Sequence, residues 1–226
     1  MLKNKIKDIS IFRKMYSFFT FHIFGGNSVK LHSSNNNEVH FDFSIVKNSN
    51  FTVNGKNNKI YLDKNVYFKR VNIFINGDFN EIRINQNSIL SGVSIWIEDS
   101  GNKIEIGEGT TIERDTQLAC IEGTEINIGS DCMLSSNVMV RTGDSHSIIN
   151  SSGKRINYSK DVNIFDHVWI GNNVTINKGV DVARNCIIAT GTIVTKSVLI
   201  ENSIWGGIPA VAIKSNMNWV RERIKN

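Results

Sequence analysis

The chain has 226 residues, 40% of them hydrophobic, with one proline among 17 glycines; this balance excludes a low-complexity polymer and suits a soluble folded protein. Its net charge of +5 and pI near 9.1 point to an acidic partner, a class that spans phosphorylated cofactors, acidic glycans, lipids and nucleic acid. Three cysteines make no disulfide framework or zinc set and fit a reducing, cytoplasmic compartment.

Residues 1–26 form a segment of their own. Ile6, Ile9, Phe12, Tyr16 and Phe19 recur at three- and four-residue spacing among Lys3, Lys5, Lys7, Arg13 and Lys14, the pattern of a basic amphipathic helix that stops at Gly25 and Gly26. Its apolar run is broken by Ser17, Thr20 and His22 and is too short to span a bilayer. No small-residue cleavage site follows it, so a secretory leader is not expected. Two uses stay open: residues 1–24 lie peripherally on the anionic inner membrane face, or they cap the body of the protein.

From residue 35 the chain repeats itself. Asn58-Lys59-Ile60-Tyr61-Leu62 returns as Asn80-Glu81-Ile82-Arg83-Ile84, as Asn102-Lys103-Ile104-Glu105-Ile106 and as Thr124-Glu125-Ile126-Asn127-Ile128, each copy 22 residues after the last. Three hexads make 18 residues, so each turn carries about four more, placed here at one corner. The asparagines at the corners read as structural, since Asn tolerates left-handed backbone and bonds to its neighbours.

After Val140 the pattern fails. Aliphatic residues are due at 146, 152 and 158, and the sequence gives His146, Ser152 and Tyr158. Residues 141–163 therefore read as a long polar loop, and loops of that length are commonly functional.

The hexads resume as IFDHVW, IGNNVT, INKGVD, VARNCI, IATGTI, VTKSVL, IENSIW and GGIPAV, with Ile164, Ile170, Ile176, Val182, Ile188, Val194 and Ile200 in one column. Four residues on lie Val168, Val174, Val180, Cys186, Thr192, Val198, Ile204 and Ala210. A period of six is neither helical nor a plain strand alternation; it suits a solenoid in which each hexad forms one flat side. Cys132 and Cys186 fall in the small inward column and read as core. Residues 27–213 are thus one solenoid domain, and 214–226, with Trp219, Val220 and Ile224 apolar, a short C-terminal helix packed over its last coil.

The hexads, the GDSH motif in the loop and the run GKRINYSKDVNIFDHVWIGNNVTINKGV together resemble the hexapeptide-repeat acyltransferases, in particular those that O-acetylate sugars and capsular polysaccharides, over roughly residues 100–213. The resemblance implies an all-β, left-handed parallel β-helix, a homotrimer with sites between subunits, acetyl-CoA as acyl donor without a metal, and a carbohydrate acceptor in place of nucleic acid. It makes His146 the general base, and a neutral imidazole suits the removal of a hydroxyl proton; otherwise His146 is a solvated loop residue. Asn137 matches an acceptor-contacting position. Asp144 orients the His146 ring, contacts substrate, or merely makes a turn. Trp169, an outward indole, walls the acceptor site, meets another subunit, or does both. Asn172, Ala189, Thr190, Thr195 and Lys196 correspond to positions along which the pantetheine arm lies, with Lys196 and Lys214 toward the nucleotide phosphates. The positive charge favours an acidic acceptor such as a sialic-acid-containing capsule. Two alternatives remain, N-acetylation of a nucleotide-linked amino sugar and a non-catalytic solenoid that only binds; a γ-type carbonic anhydrase is disfavoured because it needs three zinc-binding histidines and only His146 and His167 lie in or beside the later coils.

Overall fold

A computed structural model describes residues 14–31, 36–41 and 43–225; Ile6, Ile9 and Phe12 of the expected basic helix lie outside them. Ser28–Leu31, Glu38–His40 and Ile45–Lys47 open three sheets, here faces A, B and C. Later strands return to those faces in the same order, every neighbour parallel, until the last coil. Among the described residues, faces A, B and C hold eight, seven and nine strands. The result is a three-sided β-solenoid whose single apolar core runs its length.

The coils come in two widths. On face A, Asn50 pairs with Asn72 and Asn72 with Ser94, steps of 22 residues, whereas Thr175 pairs with Ile193, a step of 18. In a wide coil eight side chains point inward and are buried, from Val71, Ile73 and Ile75 through Asn80, Ile82 and Ile84 to Ser88 and Leu90. In a narrow coil the inward columns hold six, Val174, Ile176, Val180, Val182, Cys186 and Ile188, with the small Ala183 buried beside them. The four extra residues are therefore not a bulge at one corner, as the sequence suggested. Faces A and B each carry one additional in–out alternation, because a strand side chain returns to the same face every second residue.

Left-handed asparagines turn many of the corners, for instance Asn57, Asn87 and Asn173 with φ near 60°. A second set is buried. Asn58, Asn80 and Asn102 stack through the wide coils; the Asn80 amide and side-chain Nδ2 both donate to Oδ1 of Asn58, at 2.9 and 3.0 Å, and Asn102 repeats both bonds to Asn80. Thr124 ends the ladder, its backbone N–H donating to Asn102 Oδ1. Each buried amide is thus bonded where an apolar side chain would leave corner N–H groups unpaired.

At the N-terminal end, residues 14–19 are helical and Thr20–Phe24 continue as a π-helix. Its buried residues are Ser17, Thr20 and Phe21, with Phe21 stacked on Phe41 at 4.1 Å, so this segment caps the first coil. Tyr16 and Phe19, expected on its apolar stripe, are exposed and half-buried instead.

At the other end the hexads stop early. Ile187 pairs with Ile204 after 17 residues, a bridge from Val182 to Val198 stands in for the face-B strand, and Ile200 is exposed. Ile200 thus leaves the column that its spacing assigned it, and Ser203 is buried where the chain turns. Among the described residues no C-terminal helix follows. Val211–Ser215 is an antiparallel strand on Ser203–Gly206, and residues 216–225 run irregularly back along the B–C corner. Trp219 is buried there, stacked on His167 at 4.2 Å, and Arg221 reaches Asp131 Oδ1 at 2.7 Å and the Cys132 carbonyl at 2.9 Å. These anchors fix single residues to successive coils, and a helix could not present them in that order. All three cysteines are buried thiols, and burial pushes Cys132 up to about 12, which makes it inert packing.

Candidate functional site

The long loop leaves face A after Met139–Arg141 and rejoins face B at Val162–Ile164, so it replaces the A–B corner of one coil. Thr142 is the last inward residue of the wide coils and Val162 among the first of the narrow ones. The insertion therefore emerges at the shoulder where the solenoid narrows, and that shoulder is where a hollow forms.

The loop is an ordered hairpin. Ile149 bridges Arg155, the Ile156 amide donates to the Ile148 carbonyl at 2.9 Å, and the tip closes on Asn150. Its root is tied down twice. Arg155 pairs with Glu122 at 2.7 Å, and Ser159 donates to the same carboxylate through its hydroxyl at 2.7 Å and its amide at 3.2 Å. Led by Arg155, these donors hold the Glu122 carboxyl down at about 2. The buried Asn157 side chain then donates to Asp144 Oδ2 at 2.8 Å and to the His146 carbonyl at 2.7 Å, while its own Oδ1 accepts from the Ile148 amide. Lys178, from the next coil, donates to Asp144 and to the Asn157 carbonyl. Lys178 first, then Asn157, hold the Asp144 carboxyl below its ordinary value.

Asp144 is thereby committed to the loop: it fixes the backbone of His146 through Asn157 and does not hydrogen-bond the ring. The His146 ring is exposed, makes no hydrogen bond among the described residues, and rims an open hollow of about 460 Å³ over face A. Trp96, Gln117, Ala119 and Arg141 form its floor and wall. None of the four is legible as a site residue from hexad spacing. Trp96 alone left a signal, since it lies between the inward Ile95 and Ile97 and must point out.

The other expected site residues lie elsewhere on the same chain. Trp169 is on face C, 36% exposed, its indole N–H 3.4 Å from Ser135 Oγ and its ring 6.2 Å from Trp219. Asn137 turns the C–A corner in left-handed conformation and donates to Asn173 Oδ1 at 2.8 Å; Asn172 accepts from the Ser136 amide at that corner. Ala189 and Thr190 are at the same corner one coil later, following Ile187–Ile188. Thr195 and Lys196, both exposed, follow Ile193–Val194 on the A–B side, in line with the loop, whereas Lys214 is on a face-C strand beside Ile204. One chain therefore does not gather the set. His146, Thr195 and Lys196 share one edge; Asn137, Asn172, Ala189 and Thr190 share another; and Trp169 and Lys214 occupy face C. His167, left aside in the sequence reading, is an anchor for the tail, between Asp131 at 2.7 Å and the Trp219 carbonyl at 3.0 Å.

No family model matches the chain. Among curated proteins it is 48% identical over 97 residues to the polysialic acid O-acetyltransferase of Escherichia coli O1:K1 / APEC, 42% of this chain and 31% of that protein. It is 46% identical over 61 residues to the polysialic acid O-acetyltransferase of Neisseria meningitidis, 26% of this chain and 28% of that protein. The matched stretches thus span about a third of each relative's length. Solved structures extend the likeness. The polysialic acid O-acetyltransferase OatWY superposes with a TM-score of 0.76 at 30% identity over 88% of this chain and 90% of its own. The polySia-specific acetyltransferase NeuO does so with 0.72 at 34% identity over 87% and 86%.

Proposed function

The chain belongs to the family of the polysialic acid O-acetyltransferases, hexapeptide-repeat acyltransferases of the β-helix class, and from that premise we propose that it moves an acetyl group from acetyl-CoA to a hydroxyl of a sialic-acid-containing surface polysaccharide. The observation that carries this reading is the placement of His146: the one histidine of the long loop sits at the rim of an open hollow, its backbone fixed by the Asp144–Asn157–Lys178 network.

Acetyl-CoA supplies the acyl group as a thioester, whose carbonyl is open to attack by a hydroxyl. The residues fit such a ligand by chemistry: Thr190, Thr195 and Lys196 are exposed at corners, and neither Lys196 nor Lys214 is in an ion pair among the described residues, which leaves their charge for phosphates. His146, as neutral imidazole, takes the proton from the acceptor oxygen and then delivers it to the departing sulfur. Asn137 and Trp169 then serve the acceptor and acyl ends of a site that a second copy completes, because they lie at the C–A corner and on face C while His146 rises from the A–B corner. The hairpin favours that assembly. It presents Ile148, Ile149, Ile156 and Tyr158, each more than half exposed, to whatever lies beside it. A homotrimer closes such a contact without leaving a free end. Among the described residues no helix is long and apolar enough to cross a membrane. Met15, Phe18, Ile23 and Phe24, exposed at the N-terminal cap, are the surface by which the protein would touch the inner leaflet.

Mass spectrometry of polysialic acid incubated with the protein and acetyl-CoA tests the reading. A mass increase of one acetyl group per modified residue, absent with His146→Ala, is expected. Transfer to an amino-sugar nucleotide in preference to the polymer would replace it.

A further inference from the structure

We propose that face A beside His146 is a binding groove for an extended anionic glycan, in which Arg141 takes a sugar carboxylate and Trp96 carries a neighbouring ring; the proposal rests on the O-acetyltransferase reading above. Four consecutive coils place Phe74, Trp96, Ala119 and Arg141 in one outward column. At roughly 4.8 Å per coil the column is about 14 Å long, more than one sugar ring needs. The small Ala119 between Trp96 and Arg141 makes the hollow: a larger side chain there would fill it.

Arg141 is the unexplained group. Its Nε is buried without a hydrogen-bond partner, and its guanidinium is in no ion pair among the described residues. The nearby carboxylate that could take it, Asp144, is already held by Lys178 and Asn157. A donor withdrawn from water and left unpaired is costly, and a carboxylate on a ligand would accept from the guanidinium fork with good geometry. Trp96 is 40% exposed and is braced from beneath by Phe74, stacked at 4.2 Å, so the indole offers a rigid apolar plate. Past Gln117 the hollow continues into a second one of about 600 Å³ lined by Arg114 and Arg70, again without ion pairs among the described residues. Glu98 and Asp115 also line the two hollows, and the three arginines outnumber them. Arginines repeated along a groove that holds Trp96 match a polymer that carries one carboxylate per unit; a single sialic acid would use only the first of them.

Binding to the full-length protein, without acetyl-CoA, separates this claim from the catalytic one. Single sialic acid and short and long polysialic acid are titrated calorimetrically into wild type and the variants Arg141→Gln, Arg141→Lys, Trp96→Ala and Glu98→Gln. Melting temperature and light scattering control for folding and assembly. Arg141→Gln should weaken every sialic acid ligand about tenfold or more, and Arg141→Lys should recover part of that loss, since lysine lacks the planar fork. Trp96→Ala should weaken the long polymer and leave single sialic acid and the KM for acetyl-CoA unchanged. Glu98→Gln should tighten the polymer, and added salt should weaken it. Polymer affinity indifferent to Arg141 and Trp96, no anionic glycan bound by wild type, or an oligomer that dissociates when Trp96 is removed would each overturn the groove, the last by making face A a contact between copies. Polymer bound in the expected pattern but never acetylated would leave the groove standing and remove the proposed reaction.

Discussion

At the scale of single residues the loop separates two jobs that carboxylates and a histidine could share. Asp144 and Glu122 are spent on geometry, and of these three loop-network residues only His146 is left facing the hollow. His146→Ala should therefore leave the melting temperature almost unchanged, because the ring is exposed and makes no hydrogen bond among the described residues, while kcat falls by roughly two to four orders of magnitude, the range for a lost general base; retention of more than about a tenth of the activity would remove His146 from that role. Glu122 carries a different prediction. Its carboxyl titrates at about 2 in the folded protein, below its ordinary value, so the stabilisation it gives the loop is present at neutral pH and is lost as pH falls through the acid range toward about 2. Amide protection factors in residues 148–158, exchange rates divided by their intrinsic values at each pH, should stay high at pH 5 and fall below that ordinary carboxylate value. In Glu122→Gln the protection should already be low at pH 7 and change little with acid, with the solenoid strands unaffected in both.

At the scale of elements, what the sequence reveals depends on how many times a constraint is repeated. The inward columns were legible because every strand must alternate and every coil must return to register, so Ile164, Ile170, Ile176, Val182 and Ile188 all lie where the period put them. The asparagine corners were legible for the same reason. The ends were not, because nothing repeats there: Ile200 leaves the core when the last coil drops one residue, and the tail follows single anchors at Trp219 and Arg221 where the spacing of apolar residues suggested a helix. The loop's position and its histidine could be found by the failure of the pattern. Its partners could not, since Lys178 meets Asn157, and Arg141 comes to line the hollow, only after the chain has coiled. The buried ladder gives a test at this scale. Asn80→Ala removes four hydrogen bonds between coils, its Nδ2 donations to Asn58 Oδ1 and the Asp99 carbonyl and the two Asn102 donations to its Oδ1, strands the Asn102 amide, and should destabilise by about 3 kcal/mol, as expected for buried donors left unpaired. The exposed strand substitution Asn50→Ala, which loses a bond to Asn72 in water and has no left-handed backbone, should cost less than about 1 kcal/mol. Equal losses measured by denaturant unfolding would contradict the structural role given to the ladder.

At the scale of the whole molecule, the separation of His146 from Trp169 has a consequence that a mixture of inactive proteins can expose. If each site takes His146 from one copy and Trp169 from the next, neither His146→Ala nor Trp169→Ala homotrimers contain a complete site. In trimers assembled at random from equal amounts of the two, a site is complete when its first copy keeps His146 and its neighbour keeps Trp169. That occurs at about a quarter of the interfaces of a closed cyclic assembly. Co-expression of the two variants with different affinity tags, and purification through both, should therefore yield a substantial fraction of wild-type turnover from two nearly inactive parents. The same preparation made by mixing the finished homotrimers should stay inactive until subunits exchange, which distinguishes shared sites from simple contamination. The exposed Ile148, Ile149, Ile156 and Tyr158 give the control: if the hairpin is the contact between copies, as proposed, charged substitutions there should lower the assembly state by light scattering and abolish the recovery. Mixed assemblies that form stably yet remain as inactive as their parents would show that His146 and Trp169 serve the same chain's site, and the inter-copy arrangement would have to be abandoned.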